Sequence, residues 1–222
     1  MSVLVIGAHP DDETLGCGGT LLKHGTRGDE LSWLIVTRAH EPRWSKEAVS
    51  AKATEIERVA QALGVNQLRH LEFPAMLLDT VPLSDIIDSI RDFVREVSPE
   101  TVYVVHGGDV HTDHRIVYDA TMSVIKPFYM EGLGIRRVLC YETPSSTDAA
   151  PAVTASPFVP NVYSDISSFL ERKIEMVELY QSEVQLELLP RGASAVRAWA
   201  RTRGATVGVQ YAEALMLVRE LL

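Results

Sequence analysis

The chain has 222 residues, 46% of them hydrophobic, and a formal net charge of −9. That is enough apolar material for one sizeable core, while the acidic balance and the lack of a basic stripe with interleaved aromatics argue against nucleic acid or an anionic membrane surface as a partner. Cys17 and Cys140 form no Cys-x-x-Cys pair, no apolar stretch nears membrane-spanning length, and no basic region precedes the first apolar run, so a cytoplasmic protein without membrane insertion is expected.

Residues 3–6 are apolar and mostly β-branched, the pattern of a buried strand. His9, Asp11, Asp12 and Glu13 follow at once, where that strand ends and a helix begins. In a parallel sheet this is the carboxyl edge, where ligands bind. Residues 14–27 read as a glycine-rich turn feeding a helix, and 31–37 as a second strand followed by a polar loop over 38–46. A helical period runs over 45–63 through Val49, Ile56, Val59 and Leu63, with Gly64 as its stop. Residues 67–73 suggest a short third strand and 74–81 a loop. Residues 83–97 form an amphipathic helical pattern ended by Pro99, and 101–105 are a nearly pure β run. This alternation predicts an α/β fold, a doubly wound and mostly parallel sheet flanked by helices, in one domain over 1–222.

A second polar cluster follows the 101–105 strand: His106, Asp109, His111, Asp113 and His114. Beyond it the pattern reads as a helix over 116–125, a strand over 138–142 and a long loop over 143–160. A helix over 165–180 capped by Asp165 or Ser164, and a helical tail over 212–222, complete the chain without a repeat or a domain boundary.

Three adjacent carboxylates repel one another when ionised, so a cation among them is a natural partner. The rival reading, an acidic cap on the following helix, needs one carboxylate and no histidine. Both clusters leave the same sheet edge and can therefore converge. Two histidines with one carboxylate are a standard catalytic zinc set, and hydrolysis needs besides a carboxylate base and a donor for the oxyanion or leaving group. Gly16-Cys17-Gly18-Gly19 does not fit a dinucleotide-binding glycine pattern and is better read as close packing of helix on sheet.

Ala8-His9-Pro10-Asp11-Asp12-Glu13, Gly16-x-Gly18-Gly19 and His111-x-Asp113-His114 resemble the LmbE/PIG-L family of zinc-dependent de-N-acetylases. The likeness extends in order through Tyr141-Glu142, Asp165-Ile166-Ser167, Lys173, Tyr180-x-Ser182 and Tyr211-Ala212-Glu213. It implies a Rossmann-like fold, one Zn2+ per chain, and hydrolysis of the acetamide of an N-acetylglucosamine-type sugar or its conjugate. It also implies His9, Asp12 and His114 as metal ligands and Asp11 as general base. His111 is then the residue that stabilises the oxyanion or protonates the amine, and Asp113 a carboxylate that fixes an imidazole's tautomer. Lys52 stands where some sugar-deacetylating relatives carry arginine, Asp109 where some carry tyrosine, and Asp79 is a candidate for an acid missing after Pro74. With Arg136, ahead of the 138–142 strand, these four are the candidate substrate contacts, and Glu142, Arg191 and Tyr211 are candidate lining residues. Hydrolysis of a thiol-conjugate or other amide, a two-metal phosphoesterase, and a non-catalytic metal-binding protein remain as alternatives, and a homo-oligomer stays open.

Overall fold

The computed structural model describes residues 1–151, 155–183 and 185–222. Its centre is a seven-stranded sheet in the order β3-β2-β1-β4-β5-β7-β6. The strands are β1 (Ser2–Gly7), β2 (Glu30–Arg38), β3 (Gln67–Pro74), β4 (Thr101–Val105), β5 (Arg137–Tyr141), β6 (Val162–Asp165) and β7 (Ala212–Glu220). The first five are parallel, and β7 runs antiparallel between β5 and β6. Val3 to Ile6 and Val102 to Val105 are buried without alternation, as strands covered on both faces must be.

The helices are α1 (Asp12–Thr26), α2 (Lys46–Leu63), α3 (Leu83–Val97), α4 (Thr112–Val124), the short α5 (Pro127–Met130), α6 (Leu170–Leu179) and α7 (Ala193–Val207). Helices α1, α2 and α6 pack on one another, and α3 packs on α4. The strand order reverses between β1 and β4, which pair directly with Ile6 opposite Val104. Chain leaving those two strands therefore diverges to opposite faces and opens a crevice at the carboxyl edge. Both polar clusters start there.

Four sequence expectations change. The 212–222 segment is a strand, not a helical tail. Its Ala, Leu and Glu content favours helix, but the open edge of β5 supplies a ladder from Arg137 to Tyr141 that overrides propensity. Helix α6 begins at Leu170 instead of 165, because Asp165 Oδ1 accepts from the Ser167 amide (2.9 Å) and hydroxyl (2.6 Å) and holds a turn ahead of the helix. Helix α4 begins at Thr112 instead of 116, which puts Asp113 and His114 in its first turn. Helix α7 and strand β6 stand where no element was expected. The 143–160 loop lies partly outside the described residues.

Helix α1 is broken at Cys17, whose φ of −140° is not helical. A break orphans amides on one side and a carbonyl on the other. Glu213 on β7 accepts from the Gly19 amide (2.8 Å) and the Thr20 amide (2.7 Å). Lys173 on α6 donates to the Leu15 carbonyl (2.8 Å) and pairs with Glu213 at 2.6 Å. One buried ion pair thus caps both halves of α1. The glycines nearby serve packing as expected: a Cβ on Gly16 would stand 2.2 Å from the Tyr141 ring.

Candidate metal and active site

His9 sits on the turn after β1, Asp12 opens α1, and His114 lies in the first turn of α4. The β1–β4 pairing brings them together. His114 Nε2 is 3.3 Å from His9 Nδ1 and 3.2 Å from Asp12 Oδ1, and His9 Nδ1 is 3.7 Å from Asp12 Oδ2. Each ring has a carboxylate at its far nitrogen. Asp113 Oδ2 lies 2.9 Å from His9 Nε2, and Asp109 Oδ2 lies 3.0 Å from His114 Nδ1. With a carboxylate at each far nitrogen, the two near nitrogens face each other, an arrangement that a proton or a metal cation between them satisfies. Bonds of about 2.0–2.1 Å to a tetrahedral ion place donors about 3.3 Å apart, close to the separations found here. The donor set therefore fits a divalent cation.

The electrostatics agree. Burial opposes charge on His114, yet Asp12 and Asp109 outweigh it and push its pKa up to about 10. Burial likewise opposes charge on Asp12, and His114 and His9 overcome it to hold the carboxyl below the ordinary range. A site that retains a proton so firmly is a site that wants positive charge.

Asp11 occupies the N-cap position of α1 but makes no capping bond, which removes the rival reading of this acid as a helix cap. Its φ of 118° is in the left-handed region, a conformation that costs a non-glycine residue on the order of 1–3 kcal/mol and that collects at functional sites. The side chain goes instead to Arg191, whose Nη1 donates to Oδ2 at 2.6 Å. Arg191 is fixed in turn by Ser145 Oγ at 2.9 Å and faces Glu183 at 3.3 Å. Burial raises the Asp11 pKa well above the usual carboxylate range. Arg191 pulls against it, and Asp12, Glu183 and Glu13 reinforce it. Beneath lies Glu13, fully buried, accepting from Thr14 Oγ1 (2.6 Å), Tyr180 OH (2.9 Å) and the Asp11 amide (3.2 Å). Burial lifts its pKa to about 7.

His111 caps α4, its Nδ1 accepting from the Asp113 amide at 3.2 Å. Its proton therefore resides on Nε2. Burial first, then the neighbouring His9 and His114, push its pKa down to about 4, so the ring is a neutral donor at pH 7. Its ring stacks on His114 with centroids 4.8 Å apart, and the ligand-capable atoms of His9, His111 and His114 lie within 4.8 Å of one another.

His9, Asp11, His111, His114 and Arg191 line a cleft of about 410 Å³ together with Thr37, Ala39, Trp44, Ala48, Lys52, Ala75, Met76, Ser182 and Glu183. That volume suits a small molecule. A family profile described as PIG-L: GlcNAc-PI de-N-acetylase matches residues 4–125, more than half of the chain. The chain belongs to the PIG-L family. The PIG-L match contains every residue from His9 to His114 discussed above. An uncharacterized deacetylase of Escherichia coli, YaiS, is 30% identical over 169 residues, which is 74% of this chain and 81% of its own. A probable N-acetyl-alpha-D-glucosaminyl L-malate deacetylase 2 of Bacillus cereus is 25% identical over 197 residues, 84% of this chain and 85% of its own. The solved structure of the conserved protein TT1542 from Thermus thermophilus superposes with a TM-score of 0.78 at 26% identity, covering 99% of this chain and 96% of that one.

Within this PIG-L frame the expected residues separate. His9, Asp11, Asp12, His111, Asp113 and His114 converge as described, and Lys52 lies in the cleft wall. Three expected substrate contacts do not reach it. Arg136 adjoins the start of β5, at the amino edge of the sheet, and lines a separate depression with Lys23 and Arg27. Asp79 is exposed on a 3-10 turn after β3 and is not part of the cleft lining. Asp109 is buried, accepting from the His111 amide (2.8 Å) and Thr147 Oγ1 (2.9 Å), and is not part of the cleft lining. Glu142 is bound by Arg203 at 2.6 Å and lies outside the cleft lining. Tyr211 packs beside the core of α6 and α7. Sequence reasoning underrated Arg191 and passed over Glu183. Both sit on the turn-rich segment between α6 and α7, where no periodicity marks a side chain as inward.

Proposed function

We propose that the protein is a zinc-dependent de-N-acetylase that hydrolyses the acetamide of an N-acetylglucosamine-type amino sugar or its conjugate. The observation that carries this reading is the pair of imidazole nitrogens facing each other at 3.3 Å beside Asp12, in a cleft that also holds Asp11 and His111. The family description and the B. cereus relative, both naming deacetylation of a glucosaminyl conjugate, support the substrate class. His9, Asp12 and His114 are the ligands of one ion per chain, and two imidazoles with a carboxylate suit zinc. When bound, the ion supplies Lewis-acid activation of a water and of the acetyl carbonyl.

The chain's own residues do the rest. Arg191 occupies Asp11 Oδ2, so Oδ1 is the oxygen that receives the proton of the attacking water. His111 donates from Nε2 to the acetyl oxygen as negative charge builds there. Asp113 and Asp109 fix the rings of His9 and His114. The proton taken up by Asp11 is the one the departing amine needs, so water and amide become acetate and amine. The test is acetate release from a panel of N-acetylglucosamine conjugates, with metal analysis on the same sample. Acetate from the zinc-loaded protein alone supports the assignment. A bound zinc with no acetate from any sugar would move the reaction to another amide, and failure to bind zinc at all would overturn the site.

A further inference from the structure

Among the described residues, the permanent cations lining the cleft are Lys52 and Arg191. Each already faces carboxylates. Lys52 Nζ lies 3.0 Å from Glu183 Oε1 and 3.1 Å from Glu55 Oε2. Arg191 Nη1 lies 2.6 Å from Asp11 Oδ2 and 3.3 Å from Glu183 Oε2. Glu183 is thus the shared counter-ion, one carboxylate oxygen on each cation. Charge at the cation site is already faced by Asp12, with Asp109 and Asp113 behind the rings. The remaining lining includes Ala39, Trp44, Ala48, Ala75 and Met76, with Met76 exposed and Trp44 half-buried.

An anionic group entering here would meet Glu183 and Asp11 as like charges and would have to share cations that carboxylates already face. An apolar group would instead cover the Trp44 indole and the Met76 thioether, surfaces that gain from losing water. We infer that the conjugate suited to this cleft is uncharged outside its acetamide, carries a neutral apolar aglycone resting on Trp44 and Met76, and is selected by Glu183, which together with Glu55 and Asp11 neutralises Lys52 and Arg191. The inference rests on the deacetylase reading for the acetamide, and goes beyond it in choosing a neutral aglycone over a carboxylated one such as malate.

Binding tests it without depending on turnover. Phenyl N-acetylglucosaminide and its para-carboxyphenyl counterpart differ by one charge, and calorimetry on the zinc-loaded protein gives both affinities. The phenyl glycoside is expected to bind at least about tenfold tighter. Glu183→Gln should narrow that gap about fivefold or more, by tightening the carboxylate rather than weakening the phenyl compound. Trp44→Ala should weaken the phenyl glycoside about fivefold while zinc content stays full. Equal or tighter binding of the carboxylate by the wild type overturns the inference, as does no binding of the phenyl glycoside or an unmoved ratio in Glu183→Gln. A phenyl preference without acetate release in the same samples sustains the inference and counts against the hydrolase reading alone.

Discussion

Arg191 Nη1 lies 2.6 Å from Asp11 Oδ2, although 180 residues separate the two in the chain. The contact ties the segment between α6 and α7 to the first turn of α1. In the proposed mechanism it also leaves a single oxygen of the carboxylate to act as base. Arg191→Gln should lower kcat about 10- to 100-fold by loosening that carboxylate, with zinc retained and KM for a neutral substrate little changed. The sign of the pH effect follows from its role. The guanidinium holds the Asp11 pKa down against burial, so its removal raises that pKa and moves the acid limb of the rate profile to higher pH. Arg191→Lys should restore the limb in part, since it returns the charge without the planar fork. A pH–rate series on the three proteins checks this, and an unmoved acid limb would refute it.

The proposed mechanism gives Asp11 and His114 different duties, and variants should separate them. Asp11→Asn keeps the shape and the metal donors, so turnover should fall about 10²- to 10⁴-fold with full zinc content. His114→Ala removes a ligand and should lose zinc itself. Metal analysis beside initial rates reads both, and equal zinc loss in the two variants would contradict the assignment.

The carboxylates behind the rings make a third case. Asp109→Asn and Asp113→Asn each weaken the hold on one imidazole, and each should cost about 10- to 100-fold in zinc affinity. A competition titration against a chelator measures this. Were Asp109 a substrate contact instead, its variant would raise KM and leave zinc affinity alone.

Away from the site, Glu213 holds the broken helix α1 together with Lys173, both buried. Glu213→Ala strands a buried ammonium and two amides, and should cost about 3–5 kcal/mol of stability. Replacing both partners with apolar residues of similar volume should recover part of that loss. Denaturant unfolding of the single and double variants decides the point.

The two polar clusters were readable because each is short, contiguous and placed directly after an apolar β run. Their convergence was readable because parallel strands release their loops at one edge. Asp113 as the partner of an imidazole was expected from the family resemblance and not from its placement. Other features were set by contacts distant in sequence. The strand character of 212–220 comes from the free edge of β5, not from its own residues, whose propensity points to helix. Asp109 looks like a cleft residue in sequence and is turned inward by Thr147 and His114. Arg191 and Glu183 sit in irregular chain, where only the folded arrangement shows which side chains reach the base.

The pairing of β1 with β4 has a further consequence for how the protein comes into being. His9 and His114 are 105 residues apart, so their shared site does not exist until β4 has docked beside β1. An ion seated there would bind the folded arrangement and not the unfolded chain, and would stabilise it by mass action. The metal would thus be a late arrival in folding and a fastener afterwards, and stripping it with a chelator should lower the melting temperature as well as silence the cleft.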